Sequence, residues 1–269
     1  MSPTAHNADD GLVKPFLDHL EDLRRTLLRS AAVVALGMVI AFPLAPFLLG
    51  LLKQPLYLVT ENPDAMLQSM EVAGAFVSAM HIAFWGGILI SSPLLVVTIG
   101  QFILPALTAT EKRLAGQAGA LGIVLFVGGV LFGYVYTLPF ALSAMYLFND
   151  WLGVSPLWTL SSYVRFSVQV LVAFGLAFEI PMVLLVLGRL GVVSGVWLRD
   201  HRRHAIVGAL IIACILTPPD VVSQVIMTIP LVILYEGCIW VVLAWDRKRA
   251  AGSASLMTAA EPARDKEAS

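Results

Sequence analysis

Charge is what this chain has least of. Only 13% of its 269 residues are Asp, Glu, Lys or Arg, against about a quarter in soluble domains. With 58% hydrophobic residues and a mean hydropathy of +0.85, that excludes an ordinary soluble fold and leaves a polytopic membrane protein. Cysteine is nearly missing: Cys214 and Cys238 both lie in apolar runs and read as small core residues, not as a disulfide or a metal site. Also missing are the G-x-x-x-x-G-K-[ST] phosphate loop, the H-E-x-x-H zinc pair and the G-x-S-x-G nucleophile turn. An enzyme is therefore unsupported, and no cofactor, metal or nucleic-acid partner is expected. The net charge of -1 says little, because in such proteins the sidedness of Lys and Arg counts and their total does not. Asp9, Asp10 and a single Lys14 make the first residues too acidic for an organelle transit peptide. The run from Leu27 to Ala45 is longer than a signal-peptide core and reads as a retained first helix.

What is present centres on Phe174 to Leu187, FGLAFEIPMVLLVL, where a carboxylate and a helix breaker interrupt an apolar run. A carboxylate at mid-membrane depth costs about 3 kcal/mol on insertion scales, so Glu179 is expected to face protein or a wet cavity. The bland alternative is a protonated or hydrogen-bonded packing residue. Pro181 has no N–H to donate and crowds the carbonyl of Ala177, which predicts a bend beside Glu179.

The spacing of Phe16, Leu17, Leu20, Leu23, Leu27 and Leu28 predicts an interfacial amphipathic helix over residues 15 to 29, with Asp18, Glu21, Asp22, Arg24 and Arg25 on its polar side. It runs into a first span from Leu27 to Phe42. A proline-broken outer loop follows to about Glu71, with a short surface helix at Phe47 to Lys53. A second span, Phe76 to Leu104, exceeds the roughly 30 Å of hydrocarbon and must tilt, kink at Pro93 or protrude. His81 near its outer end reads as a satisfied interfacial histidine. In the next loop Thr110 and Glu111 read as a helix start. A third span follows, Leu114 to Leu138, whose glycines at three- and four-residue intervals suit close helix approach. Pro139 to Ser162, with Trp151 and Trp158, reads as an outer interfacial segment.

Span four, Tyr163 to Leu187, carries Arg165 and Gln169 before Glu179. Beyond a basic loop, the run Ala205 to Thr217 gives a helix of only about 20 Å, which is either half of a re-entrant hairpin or the first of two short spans. The short pair is favoured because the chain from Val221 is long enough to return, with Glu236 near the inner surface. Of the 17 Lys and Arg, all but Lys53 and Arg165 fall on one side of such a topology, so six crossings with both termini cytoplasmic are expected. Residues 1–14 and 246–269 are expected to be disordered flanks of a membrane domain over 15–245, the tail from Ala250 being rich in Ala, Ser and charge.

Four motifs, in order, carry a resemblance. They are HLEDLR at His19 to Arg24, FILPALTATEKR at Phe102 to Arg113, FGLAFEIP at Phe174 to Pro181, and LTPPDVVSQ at Leu216 to Gln224 followed by Ile229 and Pro230. Together they resemble the TatC family, the multispanning core subunit of the twin-arginine protein translocase, over about residues 15 to 245. The resemblance implies an all-α, glove-like bundle of six transmembrane helices in the bacterial cytoplasmic membrane. It would receive twin-arginine signal peptides of folded cargo and assemble with TatA- and TatB-type single-span subunits, as a homo-oligomer within the complex. It also implies a signal-peptide site at Asp22 and Glu111, with Phe102 beside it. Glu179 matches the family's intramembrane glutamate, accompanied here by Gln169, and Asp220 its outer-turn aspartate. Asp22 stands where Glu is usual, one methylene shorter, so Glu21 can share its role. Thr26 replaces a common basic residue, Thr98 and Gly100 replace a Gln and a Trp, and His81 stands at a frequent lysine.

Two other readings compete: a secondary transporter in which Glu179 carries a proton, and a purely structural scaffold. Against the transporter, no repeat and only one Glu-x-Pro break within an apolar run are visible.

Overall fold

The computed structural model describes residues 10–60, 63–103, 109–216 and 221–267. Side chains are described from Leu20 to Phe102 except at 61–62 and 64–65, from Gly116 to Ile215, and at 221, 224–249 and 251. The expectations for residues 1–9, for the 217–220 turn with Asp220, and for the Glu111 side chain lie outside these limits.

The described chain is almost entirely helical. Four stretches are long and apolar enough to cross a membrane, with mean hydropathies of 2.0 to 2.5: Gly74–Phe102, Gly116–Trp151, Leu160–Leu190 and Gln224–Arg249. A fifth candidate is broken, since Leu20–Ala41 and Ala45–Leu58 meet at 78°. The chain divides into two compact units, built from the described parts of 1–54, 67–123 and 158–168, and of 55–66, 124–157 and 169–269.

In the first unit, α1 (Asp10–Ala41) packs along α4 (Gly74–Ile103), with α2 (Ala45–Lys53) turned away from α1. The turn follows from sequence: Pro43 has no N–H to continue α1, and Pro46 lies in the first turn of α2, where none is needed. The α1–α4 crossing depends on two glycines. A Cβ on Gly37 would stand 2.6 Å from the Gly87 carbonyl oxygen, and one on Gly87 2.6 Å from the Met38 nitrogen, so only hydrogen fits at either site. Beside them Ser91 donates to the Val33 carbonyl at 3.0 Å. The two-residue strands β1 (Leu67–Gln68) and β2 (Trp158–Thr159) pair in parallel, and the buried Tyr163 donates its hydroxyl to the Leu52 carbonyl. His81 departs from expectation: its Nδ1 is buried with no hydrogen-bond partner among the described residues.

The helix α5 (Ala109–Phe132), which belongs to the first unit up to Ile123 and to the second from Val124, continues through a π turn, Gly133–Thr137, into α6 (Leu138–Trp151). This corrects the expectation that the helix stops before Pro139. The Leu138 N–H bonds to the Gly133 carbonyl, five residues back, and this one-residue widening lets a proline enter without breaking the rod. Of the third span's glycines, Gly129 and Gly133 do admit close neighbours, the rings of Phe178 and Phe174, whereas Gly116 and Gly128 face open space. Helix α7 (Leu160–Ala177) is followed after Phe178 by α8 (Glu179–Leu190). The interruption falls beside Glu179, as Pro181 predicts, although Leu160–Leu190 still reads as one span. Gly191, at φ +78°, ends α8 in the left-handed conformation.

The short α9 (Gly195–Asp200) is capped by Ser194, whose Oγ accepts from Trp197 N at 3.2 Å. It is tied to the long α11 (Val221–Glu267) by Asp246, which accepts from Gly195 N at 2.7 Å, and by the packing of Leu198 on Ile239 and Val242. Between them, α10 (Arg202–Leu216) has 15 residues, as short as expected. Cys238 is buried and its thiol donates to the Pro181 carbonyl, but Cys214 is exposed, contrary to its reading as a core residue; both thiols are free. Helix α11 runs on through 250–267, the stretch whose composition suggested a disordered tail.

Candidate functional site

Asp22 lies on the exposed part of α1, and helical spacing brings Arg25, Thr26 and Arg29 onto the same face, three, four and seven residues on. Across from them, the end of α4 supplies Thr98, Gln101 and Phe102. These seven residues enclose a cavity of about 150 Å³. Two hydroxyls are turned to their own helices: Thr26 Oγ1 donates to the Asp22 carbonyl and Thr98 Oγ1 to the Leu94 carbonyl, each at 2.8 Å. The neighbouring acids differ. Glu21 accepts from Arg25 Nε at 3.2 Å and from Arg24 Nη1 at 3.4 Å, and it does not line the cavity. The Asp22 carboxylate has no hydrogen bond or ion pair among the described residues.

Of the residues singled out in sequence, Asp22 and Phe102 therefore meet. Glu111 lies in the first turn of α5, in the same unit, with its side chain outside the described residues. Sequence reasoning missed Arg25, Arg29 and Gln101 as lining residues, although their spacing from Asp22 and Phe102 was visible. They make the cavity mixed in charge: Arg25 is paired with Glu21, and Arg29 and Asp22 share the lining.

Glu179 occupies the first turn of α8, where a carboxylate also suits the exposed N–H groups of a helix start. Its Oε1 is nevertheless buried without a hydrogen-bond partner among the described residues. Gln169 is half-buried on α7. Ten residues of near-continuous helix separate the two, about 15 Å along the axis, so they do not form one compact polar site.

The family described as Sec-independent protein translocase protein (TatC) matches residues 18–230, which contain all four motifs. The chain belongs to the TatC family. It is 37% identical over 226 residues to the Sec-independent protein translocase protein TatC of Deinococcus radiodurans, covering 82% of this chain and 83% of that one. With the Aquifex aeolicus TatC it shares 35% over 236 residues, 87% and 97% of the two chains. The TatC of Akkermansia muciniphila is 37% identical over 189 residues, 69% of this chain but only 54% of that longer protein. A crystal structure of the twin-arginine translocase receptor TatC superposes with a TM-score of 0.73 at 35% identity, covering 83% of this chain and 98% of the other.

This TatC-family chain is thus a multi-pass membrane protein and a component of a Sec-independent protein translocase. A small cavity with a carboxylate that is unpaired among the described residues, a planar aromatic and a primary amide has the chemistry to hold a guanidinium by charge-assisted hydrogen bonds.

Proposed function

We propose that this chain is the receptor subunit of a bacterial twin-arginine translocase, multi-pass in the cytoplasmic membrane with six crossings and both termini inside. The arginine pair of a signal peptide docks on Asp22 and Glu111, with Phe102 against the peptide. The peptide's apolar core then runs along the membrane face towards Glu179. TatA- and TatB-type single-span subunits, and further copies of this chain, complete the complex, with Glu179 and Gln169 as polar contacts and Asp220 in an outer turn. With no nucleotide motif in the chain, energy for transport comes from the proton gradient or from partners.

The observation that carries this reading is the contrast between two adjacent acids. Glu21 is held by the arginines of its own helix, whereas Asp22 lines the cavity with Phe102 and is unpaired among the described residues. Asp22 is accordingly the principal N-terminal acid, and Glu21 keeps Arg25 from neutralising it. Photocrosslinkers at positions 22, 111 and 179 test the reading with a signal peptide bearing Arg-Arg. Crosslinks to the peptide are expected from 22 and 111, and crosslinking from a probe at position 101, in the same cavity wall, is lost in the Asp22→Ala, Glu111→Ala double variant while the protein stays in the membrane. Undiminished crosslinking from the variant overturns it.

The buried, unpartnered Glu179 Oε1 also favours a second reading, proton-coupled transport. Proton flux through vesicles that is lost in Glu179→Gln, with peptide binding absent in the unsubstituted protein, is the result that would replace the first reading with this one.

A further inference from the structure

In the second unit, α8, α10 and α11 enclose a cavity of about 220 Å³ that the receptor reading does not use. Pro181 and Leu184 form one wall, Ile206 and Ala209 a second, Leu231 and Tyr235 a third. Tyr235 carries the only side-chain polar group of the lining, and its hydroxyl already donates to the Leu198 carbonyl at 2.8 Å. An occupant must therefore be apolar where it touches these walls.

At one end the chemistry changes. Arg202 precedes Ala205 and Ile206 by one turn and Ala209 by two, so it heads the stripe of α10 that lines the cavity. Its Nη2 donates to Glu236 at 2.8 Å, yet its side chain is 44% exposed and keeps further N–H donors. Arg203 and Arg199 are exposed, and neither has a side-chain hydrogen bond or ion pair among the described residues. Asp200 and Glu236 offset part of this charge and leave the start of α10 net positive.

We infer that this cavity holds an acyl chain of an anionic phospholipid whose phosphate sits on Arg202 and Arg203. Each half of the site selects one half of the ligand: the walls exclude polar groups, and the guanidinium pair suits a phosphate, which it can grip with paired hydrogen bonds. Basic clusters at the edge of a membrane helix attract anionic headgroups in general, and the cavity adds a fixed place for the tail. Gly208, within the lining, has no atom within 4 Å of where a Cβ would stand, so the space can be filled from there without a clash.

The full-length protein in detergent, titrated with phosphatidylglycerol or with phosphatidylcholine of the same chains and read by native mass spectrometry, tests the site. Retention of phosphatidylglycerol is expected to exceed that of phosphatidylcholine about tenfold. Gly208→Phe should lower retention of both, and Arg203→Gln, which leaves the Arg202–Glu236 pair intact, should abolish only the preference. Equal retention of the two headgroups, or unchanged binding in Gly208→Phe, overturns the inference. So does a photocrosslinker at position 208, in vesicles of the two lipids, that captures a protein helix or a second copy of this chain and no lipid. The site shares no residue with the Asp22 cavity, so its failure leaves the receptor reading standing.

Discussion

The acids in the first half of α1 and the acid at the start of α8 are placed in opposite surroundings. Glu21 and Asp22 lie among arginines one helical turn away, and the Glu21 pairs are exposed, with side-chain exposures of 71% and 44% in the Arg24 pair. Exposed pairs at this spacing are screened by solvent and contribute little, so they open and re-form readily. Glu179 has no basic neighbour on α8 before Arg189, and its buried Oε1 has no partner among the described residues. A buried polar group left without its partner costs about 1–3 kcal/mol. The first arrangement can accept and release a charged ligand with little structural consequence. The second would gain a bond from a ligand, a partner subunit or a proton. One chain thus keeps an exchangeable carboxylate in one unit and an uncompensated one in the other.

The largest effect expected from this contrast is at the exchangeable site. Replacing Asp22 and Glu111 together by Ala should reduce capture of an Arg-Arg peptide to below about a tenth, because a charge-assisted pair contributes about 1.5–3 kcal/mol. Unfolding of Asp22→Ala alone in detergent should be unchanged within about 0.5 kcal/mol, as for exposed substitutions generally. The opposite pattern is expected of Glu179→Leu. Removing an unpartnered buried carboxyl should stabilise the protein by about 1–3 kcal/mol in an unfolding titration, while export of twin-arginine cargo falls. A destabilised Glu179→Leu protein would mean that Glu179 is already satisfied, and the contrast between the two units would disappear.

How much of this was legible in the sequence follows from what kind of signal each feature has. The spans around α4 and α7 are written in long apolar runs, and the interruption beside Glu179 in a single proline, Pro181. The helix through Pro139 was not legible, because a π turn is a change of hydrogen-bond register that leaves no periodic mark. Cys214 misled for a related reason: in an apolar run, hydrophobicity does not tell the face turned to lipid from the face turned to protein, so its exposure needed the structure. At the candidate site, Asp22 and Phe102 could be named from motifs. That Glu21 is occupied and Asp22 is not depends on side-chain geometry, since Arg25 is within reach of either acid on a helix.

That last point gives a smaller and sharper test. If Glu21 serves to hold Arg25 away from Asp22, then Glu21→Gln frees a guanidinium three residues from Asp22, and the two should pair. Peptide capture should then fall by about threefold, less than in Asp22→Asn, which removes the docking charge itself. Because the released pair is exposed, the defect should shrink as salt rises from about 0.05 to 0.5 M, where the screening length falls below about 5 Å. Adding Arg25→Gln to Glu21→Gln should restore capture, since nothing then competes for Asp22. A double variant as weak as the single one would mean that Glu21 meets the peptide directly, and the two neighbouring acids would have to be treated as one site.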